Sequence, residues 1–461
     1  MTKFQKQMLT IAAAGALTAV TALPAMAFEN EFHGLFNIIG QYGNMAATGA
    51  NGTQFTTSTV PLTTVNDQTK FLSTNSKADG YIEQRVRLQY IAKASDDLKL
   101  VTHFEINSKW GRDTGADFDT DGNDTASLVV KHAYLDVNVA KNLNVKAGLQ
   151  AYKDSIGGLF VDADLPAIFV TTKLGDINTA VGFSRYADRY AASTNTDQLG
   201  NQTANLAFAD LSVNLNKSTK VGASYYLLSD ETSAGIDGGN NGVNPNGFKK
   251  TVHTFAVNGA TEIGAVKLKG FAAMQTGEGQ TIATGSTVDY AGYAFNVQAD
   301  TNIASGAAKV GYLYVSGDTN SSATKTTQWQ PAGQTGSTFN DSGMMLMIRN
   351  SNYYPTSTAQ ALKGNTISNV QLAYAGYSQN LTDKLKASAN VGFGWDVTDT
   401  GAAVGSKGDF IGTEVNGELA YKLFKELTVY AQAGYISLGS QYDAGNYKNP
   451  YAVRLGASFS F

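Results

Sequence analysis

The sequence predicts an all-β protein: a transmembrane antiparallel β-barrel of about 18 strands, with 16 as the alternative, short turns on one rim and long loops on the other. Three observations lead there. Segments with alternating apolar and polar residues recur from one end of the chain to the other. The links between them alternate in length. The chain also stops on YAVRLGASFSF, where Tyr451, Val453, Leu455, Ala457, Phe459 and Phe461 fall on one face and Ala452, Arg454, Gly456, Ser458 and Ser460 on the other.

At the N-terminus, Lys3 and Lys6 precede an uncharged, alanine-rich run from Met8 to Leu23, followed by the small-x-small pattern Ala25-Met26-Ala27. These are the three parts of a secretory signal peptide, residues 1–27. The run is shorter than the ~20 residues a spanning helix needs. The mature chain is then a single barrel domain, 28–461, of 434 residues with formal charge −6.

The first strand is EFHGLFNIIGQY, residues 31–42, which must pair with the last strand so that no sheet edge meets lipid. YIEQRVRLQYIAK (81–93) sets Ile82, Val86, Leu88 and Tyr90 against Glu83, Arg85, Arg87 and Gln89. After a short turn, LKLVTHFEINSK (98–109) sets Leu98, Leu100, Phe104 and Ile106 against Lys99, His103, Glu105, Asn107 and Lys109. Such a face is too charged for a sandwich core. LVVKHAYLDVNV (128–139) follows, and the register that sends Ala133, Leu135 and Val137 to lipid sends Lys131 there too, which places Lys131 near a rim or at a bulge. Towards the C-terminus, LKASANVGFGWD sets Leu385, Ala387, Ala389, Val391, Phe393 and Trp395 against Lys386, Ser388 and Asn390. FIGTEVNGELAYK sets Ile411, Thr413, Val415, Leu419 and Tyr421 against Glu414, Asn416 and Glu418, and LTVYAQAGY sets Leu427, Val429, Ala431 and Ala433 against Thr428, Tyr430 and Gln432. Short turns such as 381–384 and 422–426 link pairs. Long Gly/Ser/Thr/Asn/Asp-rich links fall at 44–80, 111–125, 188–204, 229–249 and 317–366.

Composition excludes several chemistries. With no cysteine there are no disulfides, thiolate metal sites, nucleophilic thiols or covalently attached c-type haem. The 48 glycines and 10% aromatics suit a large antiparallel β protein with interfacial aromatic girdles. No phosphate loop and no basic stripe point to nucleotides or nucleic acid. DFDTDGND begins like a calcium loop with Asp117, Asp119, Asp121 and Gly122, but its closing position is Leu128 rather than Glu. It reads as an acidic loop, with those three aspartates a weak metal candidate. The four histidines, His33, His103, His132 and His253, are scattered, and nothing fixes a catalytic triad. No enzyme activity and no cofactor are expected.

With its signal, paired-strand layout and final Phe461, the chain resembles the bacterial outer-membrane porin family across essentially the whole mature sequence. The resemblance implies export by the general secretory route to the outer membrane of a Gram-negative bacterium, contact with its lipid and lipopolysaccharide, and a homotrimer. It makes Phe461 the signal read by the outer-membrane assembly machinery, supported by Phe459 and Tyr451. VKHAYLDV (130–137) and VKAGLQ (145–150) look like the strands before a porin's inward-folded loop, here residues 151–166, AYKDSIGGLFVDADLP. The Pro-Glu-Phe-Gly stretch of some enterobacterial porins is absent from it.

The implied function is a water-filled channel for passive diffusion of ions and small hydrophilic solutes. Alternatives are a substrate-specific channel for sugars or carboxylates, a sleeve around a partner such as a cytochrome, and a secreted β-rich adhesin. Rings of charge set ion preference in such a bore. The basic candidates are Arg85, Arg87, Lys99, Lys109, Lys146 and Arg454. The acidic ones are Asp162 and Asp164 on the inward loop and Glu83 and Glu105 on the wall. Tyr430 and Tyr290 are candidates to face inward. The long 317–366 link, read as extracellular, carries an apolar MMLMIR patch (Met344–Arg349) that either tucks into the mouth or meets a neighbouring subunit.

Overall fold

The structure, a computed structural model, describes residues 29–44, 78–110, 128–188, 203–231, 248–281, 284–319, 322, 324–332, 337–351, 361–363, 367–398, 408–443 and 447–461. Twenty strands follow in chain order: β1 (Glu29–Gly43), β2 (Asp79–Ser95), β3 (Leu98–Lys109), β4 (Leu128–Ala140), β5 (Leu143–Lys153), β6 (Asp162–Leu174), β7 (Ile177–Asp188), β8 (Thr203–Asn214), β9 (Thr219–Asp230), β10 (Phe248–Ile263), β11 (Val266–Thr281), β12 (Thr287–Tyr290), β13 (Tyr293–Ile303), β14 (Gly306–Val315), β15 (Lys325–Thr326), β16 (Val370–Asn380), β17 (Leu385–Trp395), β18 (Phe410–Lys422), β19 (Leu427–Leu438) and β20 (Tyr451–Ser460). β12 is short and prolongs β13 along β11 in the same register, and the two-residue β15 pairs parallel to β12.

The other 18 make one antiparallel sheet that closes on itself. Closure is by β20 on β1, in the register Phe36↔Phe459 and Gly40↔Leu455. It extends one residue past the strand, where Phe461 and Gly34 exchange both backbone hydrogen bonds at 2.9 and 3.1 Å. From Gly34 to Gly43 the edge of β1 is therefore paired, as lipid demands. Two-residue turns such as Lys141-Asn142, Gly175-Asp176 and Gly264-Ala265 join strands at one rim. The strand ends that the longer links connect lie at the other.

The two faces follow the sequence alternation. On β20, Val453, Leu455 and Phe459 are exposed outward while Ala452 and Arg454 are buried inward. β2 and β19 behave likewise. β18 departs at its start. Ile411 is fully buried on the inside instead of sharing the outer face with Val415. A register shift at Gly394/Trp395, with Gly412 at φ 144, turns the strand over there. Lys131 also sits at a bulge: His103 pairs with His132 and Phe104 with Val130, leaving Lys131 as the extra residue of β4.

Candidate functional site: two inward-folded segments and a charged wall

β5 pairs with β4 only as far as Leu149, opposite Ala133, and β6 with β7 only from Ala167, opposite Ser184. Between those points residues 150–166 pair with each other alone, from Gln150↔Leu165 to Lys153↔Asp162. The hairpin tip leaves the wall, and two residues cause it. Gly148 has φ 132, and a Cβ there would sit 2.2 Å from the Ala133 carbonyl oxygen. Pro166, opposite Leu149, has no N–H to offer β7. Its carbonyl accepts the Ser184 hydroxyl at 3.0 Å instead.

The tip crosses the bore to β9. Ser155 Oγ lies 2.7 Å from Ser224 Oγ, and its N–H donates to the Tyr226 hydroxyl at 3.0 Å. Ile156, Leu159, Phe160 and Val161 are wholly buried. The turn is organised by Asp154, whose carboxylate accepts four backbone N–H bonds: from Ile156 at 3.0 Å and from Gly158, Phe160 and Val161 at 2.7 Å each. Burial pushes this carboxyl up to about 6, against the four donors that pull it down.

The described parts of the link between β14 and β16 also pack against the inner wall. Of the two placements its apolar patch left open, it takes the one that tucks inward, where it finds an apolar wall to bury against. Met344 to Ile348 are fully buried. Their backbone is caught by Glu414 on β18, which accepts N–H bonds from Met345 at 2.6 Å and Met347 at 2.7 Å, with Leu346 at 3.2 Å. Wall glycines leave pits for the thioethers: a Cβ at Gly392 would lie 2.3 Å from Met344 Sδ, and one at Gly394 2.4 Å from Met347 Sδ. Lys363 pairs with Asp396 in a buried bridge, and Gln441 Nε2 donates to the same carboxylate at 2.6 Å. The two inward segments meet each other. Ala332 N–H donates to Phe160 O and Thr338 N–H to Gly158 O, both at 2.9 Å, and Thr338 Oγ1 donates to Asp162 at 2.6 Å.

Opposite this apolar packing lies a polar wall made by β1–β5 and β20. Glu105 is its hub. It accepts from Arg87 Nε at 2.5 Å, lies 3.5 Å from Arg85 Nη2, and accepts from Asn107 Nδ2 at 2.7 Å. Arg85 Nε donates to Asn107 at 2.7 Å. Arg454 donates to Gln41 at 2.6 Å. Lys146 lies 3.9 Å from Asp136 and over the Tyr134 ring. The hairpin tip is pinned to this wall as well: Asp164 pairs with Lys131 and lies 2.8 Å from His132 Nε2. Two cavities of about 670 and 570 Å³ open below the segments towards the short-turn rim, the first lined by Lys267, Lys309 and Asn390, the second by Asn144, Asp210 and Lys220.

The candidates sort accordingly. Arg85, Arg87 and Glu105 are brought together, and Glu83 is buried one position along the same inner face of β2. Arg454 stands on β20, and Lys99 on β3 opposite Asp136. Lys109 pairs with Glu83 in register. Asp162 turns to Lys153 and Thr338, not to the basic wall. Asp164 faces Lys131 rather than either arginine. Tyr430 lies against Gly456 on the inner face, and Tyr290 on β12 is buried among the residues packed inside the barrel. The Phe461 ring lies over Gly34, where a Cβ would be 2.1 Å away. Asp117, Asp119 and Asp121 lie outside the described residues. The sequence reading missed Asp154, Lys131, Glu414 and the His103–His132 contact. Glu414 was visible as a carboxylate on an inner face, but its partners are 67–69 residues away.

A closed barrel with an apolar outside, a charged inside and its own loops folded into the bore is the architecture of a membrane channel. Solved structures share it. Pseudomonas aeruginosa OccK9 (OpdG) matches with a TM-score of 0.55 at 12% identity, over 94% of this chain and 98% of that one. P. aeruginosa OccK8 (OprE) gives 0.54 at 13% identity over 94% and 98%, and Acinetobacter baumannii OccAB4 0.53 at 12% over 94% and 98%. The outer membrane protein opdK of P. aeruginosa also matches, with 0.53 at 12% identity over 94% and 99%. At such identities the likeness is one of fold. No family model and no curated protein matches the sequence.

Proposed function

We propose that the protein is an outer-membrane porin, a channel and not an enzyme, through which ions and small hydrophilic solutes diffuse along the polar wall of β1–β5 and β20. One observation carries this reading: the inner face divides into a packed apolar side, filled by residues 154–161 and 337–348, and a side of paired charges centred on Glu105. A solute in water follows the second side, where charge is already compensated and the walls offer hydrogen bonds. Arg85, Arg87, Lys99, Lys109, Lys146 and Arg454, with Glu83, Glu105, Asp162 and Asp164, set the field it meets. Basic and acidic groups are interleaved, so ion preference is modest.

The narrowing of the bore by two touching segments favours selection of particular solutes over free passage. The same filling weighs against a sleeve, because the chain's own loops occupy the space a partner would need. The fold supports a Gram-negative outer membrane as the location; signal-directed export, assembly through Phe461 and a homotrimer as the working unit complete the proposal. The test is purified protein in a planar bilayer under a salt gradient. Stepwise ohmic openings whose reversal potential shifts when Arg85 and Arg87 are both changed to Gln support the reading. Folded protein that passes no current overturns it.

A further inference from the structure

His103 and His132 face each other at a directly paired position of β3 and β4. Their Nδ1 atoms are 3.1 Å apart, and the rings meet edge-on with centroids 4.9 Å apart. Two imidazole nitrogens so placed hold something between them, either a shared proton or a metal ion. The surroundings bear on which. Asp164 Oδ1 lies 2.8 Å from His132 Nε2. A carboxylate only accepts, so it pairs with an N–H at Nε2, and a ring with that tautomer has its Nδ1 lone pair turned to His103. A carboxylate that fixes the outer N–H of a ligating imidazole is the usual second partner in metal sites. Metal–nitrogen bonds of ~2.05 Å put two ligand nitrogens about 2.9 Å apart at a right angle and about 3.3 Å apart at the tetrahedral angle. The observed separation falls between these values.

We propose that this pair is a binding site for a borderline divalent transition-metal ion of the Cu²⁺, Ni²⁺ or Zn²⁺ kind. His103 Nδ1 and His132 Nδ1 are the protein ligands, water fills the remaining positions, and Asp164 orients His132. Two imidazoles and no thiolate select these ions over Mg²⁺ and Ca²⁺, which take oxygen ligands. Among the described residues no group of three His, Asp or Glu converges on one point. The site is therefore a two-ligand site that exchanges its ion with the lumen. The charged groups facing the pair are Arg87, which shares Glu105 of β3 with Arg85, and Lys131 on β4, which pairs with Asp164 on β6. Both rings must be neutral to ligate, so binding weakens as pH falls. The site needs only the folded wall, and it stands or falls apart from any transport.

The experiment is titration of the folded, detergent-solubilised barrel with Cu²⁺, followed by electron paramagnetic resonance. One ion per chain with coupling to two nitrogens is expected. His103→Gln and His132→Gln should each weaken binding by at least about tenfold, and Asp164→Asn by about tenfold, in line with the loss of an orienting partner. His33→Gln and His253→Gln should change nothing. Unchanged Cu²⁺ affinity in the His103→Gln/His132→Gln double variant overturns the assignment, as does a bound ion that follows His33 or His253. Should a variant fail to fold by circular dichroism, the nitrogen count in the unaltered protein decides: two supports the site, and none or one refutes it.

Discussion

The two segments folded into the barrel reach the same place by different means. The hairpin tip, 150–166, stays a β-ladder to its end, and its turn is tied by a carboxylate of its own, Asp154. The segment around Met344–Ile348 has only a parallel bridge, Ile348↔Lys363, with the Leu362 and Lys363 N–H groups donating to Leu346 O and Met347 O. It is held from outside, by Glu414 on the wall and by apolar side chains seated over Gly392 and Gly394. The tip is thus a local structure and the longer segment a tertiary one. Deleting one of its few external ties should loosen the second, while the tip, which has external ties as well, should depend most on its own turn.

The largest expected effect comes from Glu414→Ala. It orphans the N–H groups of Met345, Leu346 and Met347 in a dry site. At about 1–3 kcal/mol for each buried unpaired donor, the segment loses roughly 3–9 kcal/mol. Hydrogen exchange at 345–347 should rise steeply while exchange at 156–161 rises little, and single-channel current should grow larger and noisier. Equal protection in both segments would erase the distinction.

Next in size is Asp154→Ala, which orphans four donors and reverses the pattern: residues 156–161 exchange and 345–347 stay protected. The same scale gives roughly 4–12 kcal/mol for four donors, and the loss is expected at the low end, about 4 kcal/mol, because the ladder remains and lets the freed N–H groups reach water. The segments touch through Ala332 and Thr338, so the double variant should lose less than the sum of the singles.

The difference between the segments also explains what the sequence disclosed. Alternation marked the wall strands, because a strand between water and lipid must sort its side chains by face. The tip showed itself through local signals: Gly148 and Pro166 are the residue types that stop pairing, and both lie beside the turn they create. The inner position of Met344–Ile348 did not show, because an apolar run says only that it is buried, not by what. Ile411 was assigned to the wrong face because a bulge shifts alternation by one residue without changing composition. His103 and His132 lie 29 residues apart and are joined only by the register of β3 on β4.

Gly148→Ala should act more weakly, by about 1–3 kcal/mol, through strain at φ 132 and contact with the Ala133 carbonyl. It should lower thermal stability and misplace the tip, whereas Gly175→Ala, in an open turn, pays only for its positive φ. The smallest effect is that of pH on Asp154. Its folded value near 6 lies above the ~4 of a free carboxyl, so the folded tip binds a proton that the released chain does not. The contribution is greatest below about pH 4 and is lost as pH rises through 6. Between pH 7 and pH 5 the tip should gain on the order of 1 kcal/mol, read as slower exchange at 156–161 after correction for intrinsic rates, and the gain should vanish in Asp154→Asn.

The most direct test of the account is chemical access to the two sides of the bore. The chain has no cysteine, so a single introduced thiol is the only one. Channels carrying Arg87→Cys and channels carrying Met345→Cys are held open in a planar bilayer and treated with a charged, membrane-impermeant thiol reagent. The account predicts a rapid, lasting change of current with Arg87→Cys and none with Met345→Cys. Modification of Met345→Cys at the faster rate, or a current indifferent to modification of Arg87→Cys, would place the conduction path on the wrong side and contradict it.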